Sequence, residues 1–130
     1  MKEIAVGTVY TKEETVTEEK LARVVGSGDV AVYATPMMMA LMEGASAELL
    51  ARFLDEGETS VGASISSTHL SPTPVGMRVR ATATILSAQG RKVVFSIRAE
   101  DEAGVIGEGT HERFVLNREK FEQKAQAKQN

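Results

Sequence analysis

Three side chains in the sequence combine a reactive group with a setting in which it can be used. Glu43 lies inside a long apolar segment, where partial desolvation would raise the pKa of its carboxyl group and make it a base near neutral pH. In the alternating strand pattern over 60–70, His69 occupies an odd-numbered position, on the same face as the apolar residues. Thr35 precedes Pro36 at the predicted start of a helix, where backbone N–H groups and the helix dipole stabilise negative charge. A carboxylate, an imidazole and a hydroxyl together suffice for hydrolytic chemistry.

Each of these residues also has a purely structural explanation. A glutamate on an amphipathic helix is usually a solvated residue on its flank, and a histidine on an apolar face is more often a hydrogen-bonded core or rim residue. Thr35 is a suitable N-cap for the helix that Pro36 begins. The residue types alone leave both explanations open for Glu43 and His69, whereas the two roles of Thr35 are compatible.

The composition of the 130-residue chain excludes several kinds of site. It contains no cysteine and two histidines, which excludes a disulfide scaffold, a cysteine nucleophile and a cysteine-ligated metal, and we expect no metal site. Its 15 basic and 18 acidic residues give a net charge of −3, unlike the basic field of a general nucleic-acid-binding protein. Without a signal-peptide pattern or a membrane-length apolar run, the sequence predicts one cytoplasmic domain over 1–130 that binds neither nucleic acid nor membrane.

The first half of the chain predicts a strand, a short helix and a long helix. Residues 6–16 are rich in Val, Thr and Tyr, and 17–27 form a short segment that Thr17 would cap. From Pro36 to Asp55 apolar residues recur at steps of three and four, which is the period of one helical face, and Gly57 would end the helix. The apolar positions of this predicted helix are Met38, Leu41, Met42, Ala45, Leu49 and Phe53.

The second half of the chain alternates apolar and polar residues. This period of two covers 60–70, 77–86 and 93–100 and continues to Val115, which predicts long antiparallel strands with one apolar face. One long helix would cover that face if the sheet curls around it. The pattern therefore predicts an α+β hotdog fold, a long antiparallel sheet wrapped around one central helix, with 118–130 as a polar C-terminal tail that is a short helix or frayed end.

Three segments of the sequence resemble the hotdog-fold thioesterases of the fluoroacetyl-CoA thioesterase-like family. They are VYATPMMMALMEGA at 32–45, SVGASISSTHLSPTPVGMRV at 60–79 and GEGTHERFVLNREKF at 107–121. They occur in the family's order and spacing, and the resemblance covers about residues 6–121. It implies a homodimer, or a dimer of dimers, that hydrolyses acyl-CoA thioesters with no cofactor, since coenzyme A is part of the substrate.

The resemblance also implies roles for individual residues. The family's catalytic threonine, glutamate and histidine match Thr35, Glu43 and His69. Its acyl-site glycine matches Gly62, and its T-H-E-R motif makes Arg113 a neighbour of the site. With these matches we expect Thr35 and the helix N-terminus to hold the thioester carbonyl, Glu43 to attack or to activate water, and His69 to orient the nucleophile or protonate the CoA thiolate.

The segment before Thr35 departs from the family pattern. The fluoroacetyl-specific enzyme carries a phenylalanine-bearing lid there, whereas this chain has GSGDVAVYA, in which Tyr33 is the only aromatic residue. We therefore expect a generic short-chain acyl-CoA substrate, with Tyr33 and the polarizable Met39 as walls of the acyl site. The alternatives are a non-catalytic acyl-CoA-binding hotdog protein and a hotdog enoyl-thioester hydratase or dehydratase. The phosphates of CoA have candidate cationic partners in Arg91, Lys92 and Arg118, for which ordinary surface charge is an equal explanation.

Overall fold

A curled five-stranded antiparallel sheet packs around one long helix in the computed structural model, which describes residues 1–129. Its order along the sheet is β1-β3-β4-β5-β2, so β1 and β2 form the two edges. The predicted α+β class and the arrangement of sheet and helix are confirmed. The elements are β1 (Val9–Thr15), α1 (Ala22–Val25), α2 (Thr35–Ala51), β2 (Glu58–Ser67), β3 (Arg78–Gln89), β4 (Lys92–Asp101), β5 (Gly104–Asn117) and α3 (Arg118–Gln126).

The core lies between α2 and the inner face of the sheet. On β3 and β4 alternate side chains are buried, as the period of two predicts. The predicted helical stripe is buried too, apart from Phe53, which lies beyond the end of α2 and is only half-buried. The buried residues of the three elements include Met38, Leu41, Met42, Ala45, Leu49, Val79, Ala81, Ala83, Ile85, Val93, Phe95, Ile97 and Ala99.

The helix boundaries differ from the sequence prediction. The predicted helix to Asp55 ends at Ala51, and residues 52 and 53 form a turn instead. Thr17 makes no capping bond to the 3-10 turn Glu18–Lys20 that follows it. The N-cap prediction for Thr35 is also wrong, because Ala34 occupies the cap position without a side-chain bond and Thr35 is the first helical residue. The hydroxyl of Thr35 is used elsewhere, as described below.

Strand β2 is an edge strand with an irregularity that the sequence pattern did not reveal. Its pairing with β5 shifts register between Gly62 and Ser64, which marks a β-bulge. Val61 pairs with the exposed Phe114 and Ile65 pairs with the buried His111, so the two side chains lie on opposite faces of the sheet and the prediction of one continuous apolar face through Val61, Ala63 and Ile65 is wrong. None of the ten residues of β2 is fully buried.

The C-terminal segment is helical rather than frayed. Asn117 accepts a hydrogen bond from the Lys120 backbone at 2.9 Å and so caps α3, which is exposed along its length. A 3-10 turn, Ala127–Gln129, follows, and Asn130 lies outside the described residues. Within residues 1–129 no helix is long and apolar enough to span a membrane.

Candidate active site

Thr35 and His69 are in direct contact at the N-terminus of α2. The Thr35 hydroxyl lies 2.7 Å from Nδ1 of His69. Desolvation lowers the pKa of His69, so its ring is neutral at pH 7. Within the described chain its other nitrogen, Nε2, is buried without a hydrogen-bond partner. A neutral imidazole can donate or accept a proton, and the bond between Nδ1 and the Thr35 hydroxyl couples the ring to that side chain.

The segment that carries His69 is held by strand β5. Beyond the end of β2, the Thr68 N–H donates to the Glu108 carbonyl at 2.9 Å, and the Leu70 N–H donates to the Ile106 carbonyl at 2.8 Å. A Cβ on Gly107 would collide with the carbonyl oxygen of Thr68. Because Gly107 has no side chain, the segment that carries His69 can pass close to β5 and reach Thr35.

The loop before α2 is fixed by partly buried polar contacts. The Tyr33 side chain is buried, and its hydroxyl donates to Glu14 Oε2 at 2.5 Å. Lys20 holds the other oxygen of the same carboxylate at 2.8 Å. The pKa of Tyr33 is raised, first by burial and then by its bond to Glu14. Tyr33 is thus available to a ligand only as an apolar wall, because its hydroxyl is engaged inside the protein.

Thr35 and His69 face a cleft of about 290 Å³, close to the lower end of the range of about 300–1,000 Å³ for ligand pockets. Its rim carries Val30 and the highly exposed Leu70. The cleft is lined by Ala22, Ser27, Gly28, Val30, Val32, Tyr33, Thr35, His69, Leu70, Ser71 and Pro72. Its size and apolar rim suit a small acyl group beside the two reactive side chains.

Glu43 lies in a second group of residues, on the side of α2 that faces β2 and β5. Its Oε2 is 3.9 Å from Nη1 of Arg113. A Cβ on Gly62 would lie 2.7 Å from the same oxygen, so only glycine leaves room for the carboxylate there. The Glu43 side chain is 45% exposed in the single chain, which is more solvent than the sequence argument expected.

His111 and Ser60 also belong to this second group, and the sequence reasoning missed both. His111 is 1% exposed, and its ring contacts Arg113 Nη1 through Nε2 at 3.2 Å. Arg113 in turn donates from Nε to the Ser60 hydroxyl at 2.9 Å. The signal that could have revealed His111 is the alternation of β5, in which it has the same parity as the buried Arg113 and Val115.

The two groups are separate within one chain. Thr35 and Glu43 are eight residues apart on α2, which corresponds to about 12 Å along the helix axis. Met39, the residue midway between them, is half-buried and packs against the core. The structure therefore brings Thr35 to His69 and brings Glu43 to Gly62 and Arg113, but it does not join the two groups. Arg91 and Lys92 form ion pairs with Glu58 and Glu112, respectively.

Known proteins are similar to this chain in sequence and in fold. The family model of the fluoroacetyl-CoA-specific thioesterase matches residues 16–119. The fluoroacetyl-CoA thioesterase of Streptantibioticus cattleyicolor is 42% identical over 97 residues, 75% of this chain and 70% of that protein. A variant of the fluoroacetyl-CoA thioesterase in complex with acetyl-CoA is 34% identical, with a TM-score of 0.93 over 98% of this chain and 100% of that one. A Thermus thermophilus hypothetical protein described as a thioesterase superfamily member is 34% identical, with a TM-score of 0.92 over 99% and 96% of the chains.

Proposed function

The chain belongs to the fluoroacetyl-CoA-specific thioesterase family and has its hotdog fold, and we propose that this thioester hydrolase cleaves short-chain acyl-CoA with Thr35, Glu43 and His69 as its catalytic group. The observation that carries the proposal is the 2.7 Å contact between Thr35 and His69 beside a small cleft at a helix N-terminus. A hydroxyl, a neutral imidazole and the positive end of a helix dipole can together stabilise the negative charge that develops on the carbonyl oxygen of a thioester.

The reaction forms a C–O bond at the thioester carbonyl carbon and breaks the C–S bond, and a proton reaches the departing thiolate. Thr35 holds the carbonyl oxygen at the positive end of the α2 dipole, and His69 orients the nucleophile or protonates the sulfur. Glu43 attacks directly and forms an acyl anhydride, or it takes a proton from the attacking water. A single turnover in ¹⁸O-water tests the anhydride route, because label enters the Glu43 carboxylate only when water attacks the Glu43 side of an anhydride.

Glu43 is proposed to act on the substrate held by the partner subunit of a homodimer. Within one chain it lies about 12 Å along α2 from Thr35, which is too far for both to contact one thioester carbonyl. The Glu43 side chain is half-exposed, and it lies beside β2, an edge strand with no fully buried residue. The proposal is that a second copy packs against this face with its own Thr35–His69 pair directed at Glu43. A dimer of such dimers is compatible with the same site.

The substrate is proposed to be a generic short-chain acyl-CoA rather than fluoroacetyl-CoA alone. The segment before Thr35 contributes Ser27, Gly28, Val30 and Val32 to the cleft and places no aromatic lid over it. Met39 lies one turn from Thr35 on α2 and is proposed as a flexible wall of the acyl site, with Tyr33 as a rigid one. Gly62 and Arg113 border the carboxylate that is proposed to react, which makes both of them substrate neighbours.

The experiment is a measurement of free-thiol release from a series of acyl-CoA esters of increasing chain length. We expect turnover to be highest for the shortest esters and to fall by about 10²–10³ or more in the Thr35→Ala, Glu43→Ala and His69→Ala variants. Near-normal turnover of folded Glu43→Ala would contradict the mechanism. Thermal stabilisation by acyl-CoA without any thiol release would instead indicate a non-catalytic acyl-CoA-binding protein.

A further inference from the structure

The buried histidine on β5 is held in one tautomer by its two neighbours. Nδ1 of His111 lies 2.7 Å from the Ser64 carbonyl oxygen, and Nε2 lies 3.2 Å from Nη1 of Arg113. An arginine guanidinium can only donate hydrogen bonds, and a carbonyl can only accept them. Nε2 must therefore be the unprotonated nitrogen, and Nδ1–H donates to Ser64. The His111 ring is also stacked on Phe95, with ring centroids 6.0 Å apart.

These contacts fix the guanidinium of Arg113. Its Nε donates to the Ser60 hydroxyl at 2.9 Å and its Nη2 donates to the Ser60 carbonyl at 3.0 Å. Its Nη1 donates to His111, and the same nitrogen faces Glu43 Oε2 at 3.9 Å. A guanidinium bonded on three nitrogens has little freedom to rotate, so it presents a positive charge to Glu43 from one defined direction.

We propose that His111 is a positioning residue of the thioesterase reaction, whose Nε2 lone pair holds Arg113 so that Arg113 in turn orients the Glu43 carboxylate. The proposal rests on the proposed function, because it gives Glu43 a reacting role. His111 is 1% exposed and is therefore proposed to act through Arg113 rather than on the substrate. Its part is to keep the carboxylate in the one geometry from which it can attack the thioester or activate water, and small displacements of such a group are costly.

The neutral form of His111 is required for this contact. A protonated ring would direct Nε2–H at the N–H groups of Arg113, which places two donors and two positive charges together. Burial lowers the pKa of His111 and the charge of Arg113 lowers it further, whereas the Ser64 carbonyl, Glu43 and Glu112 raise it. The net direction is downward, and Phe95 on the adjacent strand adds no charge. The ring is therefore neutral, and the contact intact, at pH 7.

A pair of variants separates hydrogen bonding from packing. His111→Phe keeps a ring against Phe95 but removes the acceptor for Arg113. His111→Gln offers an amide oxygen near the position of Nε2 and so keeps the acceptor. We expect kcat for the shortest acyl-CoA esters to fall roughly 10- to 100-fold in His111→Phe with little change in KM, and to stay within a few-fold of wild type in His111→Gln. Thermal unfolding of each variant shows that the comparison is made between folded proteins.

The tautomer provides a readout that does not depend on activity. The chain has two histidines, so ¹⁵N-histidine NMR gives two sets of ring signals, which a His69→Gln variant assigns. We expect His111 to be the Nδ1–H tautomer at pH 7, and its pKa to rise in an Arg113→Met variant, which removes a neighbouring positive charge. An Nε2–H tautomer would overturn the proposal, and this result can be obtained with the wild-type chain even if His111→Phe does not fold.

The two proposals fail in different ways. If the wild-type protein releases no thiol from any acyl-CoA, the proposed function is wrong, and the positioning role, which depends on it, falls with it. If the wild-type protein is active and folded His111→Phe has an unchanged kcat, the positioning role is wrong and the proposed function stands. Loss of activity in His111→Phe together with recovery in His111→Gln supports both.

Discussion

Gly109 on β5 packs against the backbone of Ser66 on the neighbouring strand β2, so closely that no side chain fits between them. A Cβ added to Gly109 would overlap the Ser66 carbonyl oxygen and lie 2.7 Å from the Ser67 Cα. The obstacle is backbone rather than the end of a flexible side chain, so it cannot move aside cheaply. The same close passage continues at Gly107, beneath Thr68. Two glycines on one strand thus set the path of the segment that ends at His69.

Replacing Gly109 with alanine is expected to damage both stability and activity. The added methyl group must push residues 66–68 away from β5, and overpacking of this kind costs about 1–3 kcal/mol of unfolding free energy. It also moves His69 away from Thr35, and a displacement of about 1 Å can cost as much as 10²-fold in rate. Chemical denaturation and thiol release measure the two effects.

Gly44→Ala is the matched control for Gly109→Ala. Gly44 lies inside α2, and a Cβ there would meet only the end of the flexible Lys12 side chain, at 3.2 Å. Alanine is favoured over glycine in a helix interior by up to about 1 kcal/mol, so this variant should be as stable as wild type or more stable. Equal behaviour of the two alanine variants would contradict the role assigned to Gly109.

Gly62→Ala is expected to lower turnover while leaving the fold largely intact. The new methyl group would lie 2.7 Å from Glu43 Oε2 and 3.2 Å from His111 Cε1, so the carboxylate has to move. Gly62 is exposed on an edge strand, and its main neighbour is a movable side chain, so the loss of stability should be small. We expect roughly a 10- to 100-fold decrease in kcat for short acyl-CoA esters. An unchanged kcat would show that this position of Glu43 is not the reactive one.

The fold was predictable wherever burial imposes a simple period. On β3 and β4 one face is covered by α2, and residues such as Val79 and Ile97 are buried in strict alternation. On α2 the steps of three and four from Met38 to Leu49 mark the face that packs on the sheet. These signals are local in the sequence, because the face of a helix or strand on which a side chain lies follows from its position relative to the neighbouring residues.

The details of the site were less predictable because they depend on contacts between distant residues. The bulge after Gly62 places Val61 and Ile65 on opposite faces of the sheet, and no local pattern marks it. Thr35 has the sequence context of a helix cap, yet its hydroxyl bonds to His69, 34 residues away. His111 has an apolar-face parity in β5, but its role depends on Ser64 and Arg113, which only the register of β2 and β5 brings to it.

Acidification is expected to destabilise the protein through its two histidines. Burial lowers the pKa of both His69 and His111 below the ordinary value of 6.5. As the pH falls below 6.5, the unfolded chain therefore takes up protons before the folded chain does, and the free energy of unfolding decreases. The decrease ends once the pH passes the lowered pKa values, because both states are then protonated.

The comparison that tests this pH dependence uses a variant without histidine. The double variant His69→Gln, His111→Gln removes both titrating rings, so it should lose less stability than the wild-type protein as the pH falls from neutral through 6.5. Denaturation midpoints measured over that interval give the two slopes. Parallel slopes would show that the histidines are not the groups responsible.

Mixing two inactive variants is expected to restore activity if each site combines Thr35 and His69 of one subunit with Glu43 of the other. In a mixed dimer of Thr35→Ala and Glu43→Ala chains, one site carries both lesions and the other carries none. Random reassortment of equal amounts in a two-fold symmetric dimer should therefore recover about a quarter of the wild-type thiol release. If every site were built within one chain, each site of the mixed dimer would keep one lesion and no activity would return. Mixing Thr35→Ala with His69→Ala is the matched control, since these lesions lie in the same pair and should not complement across subunits.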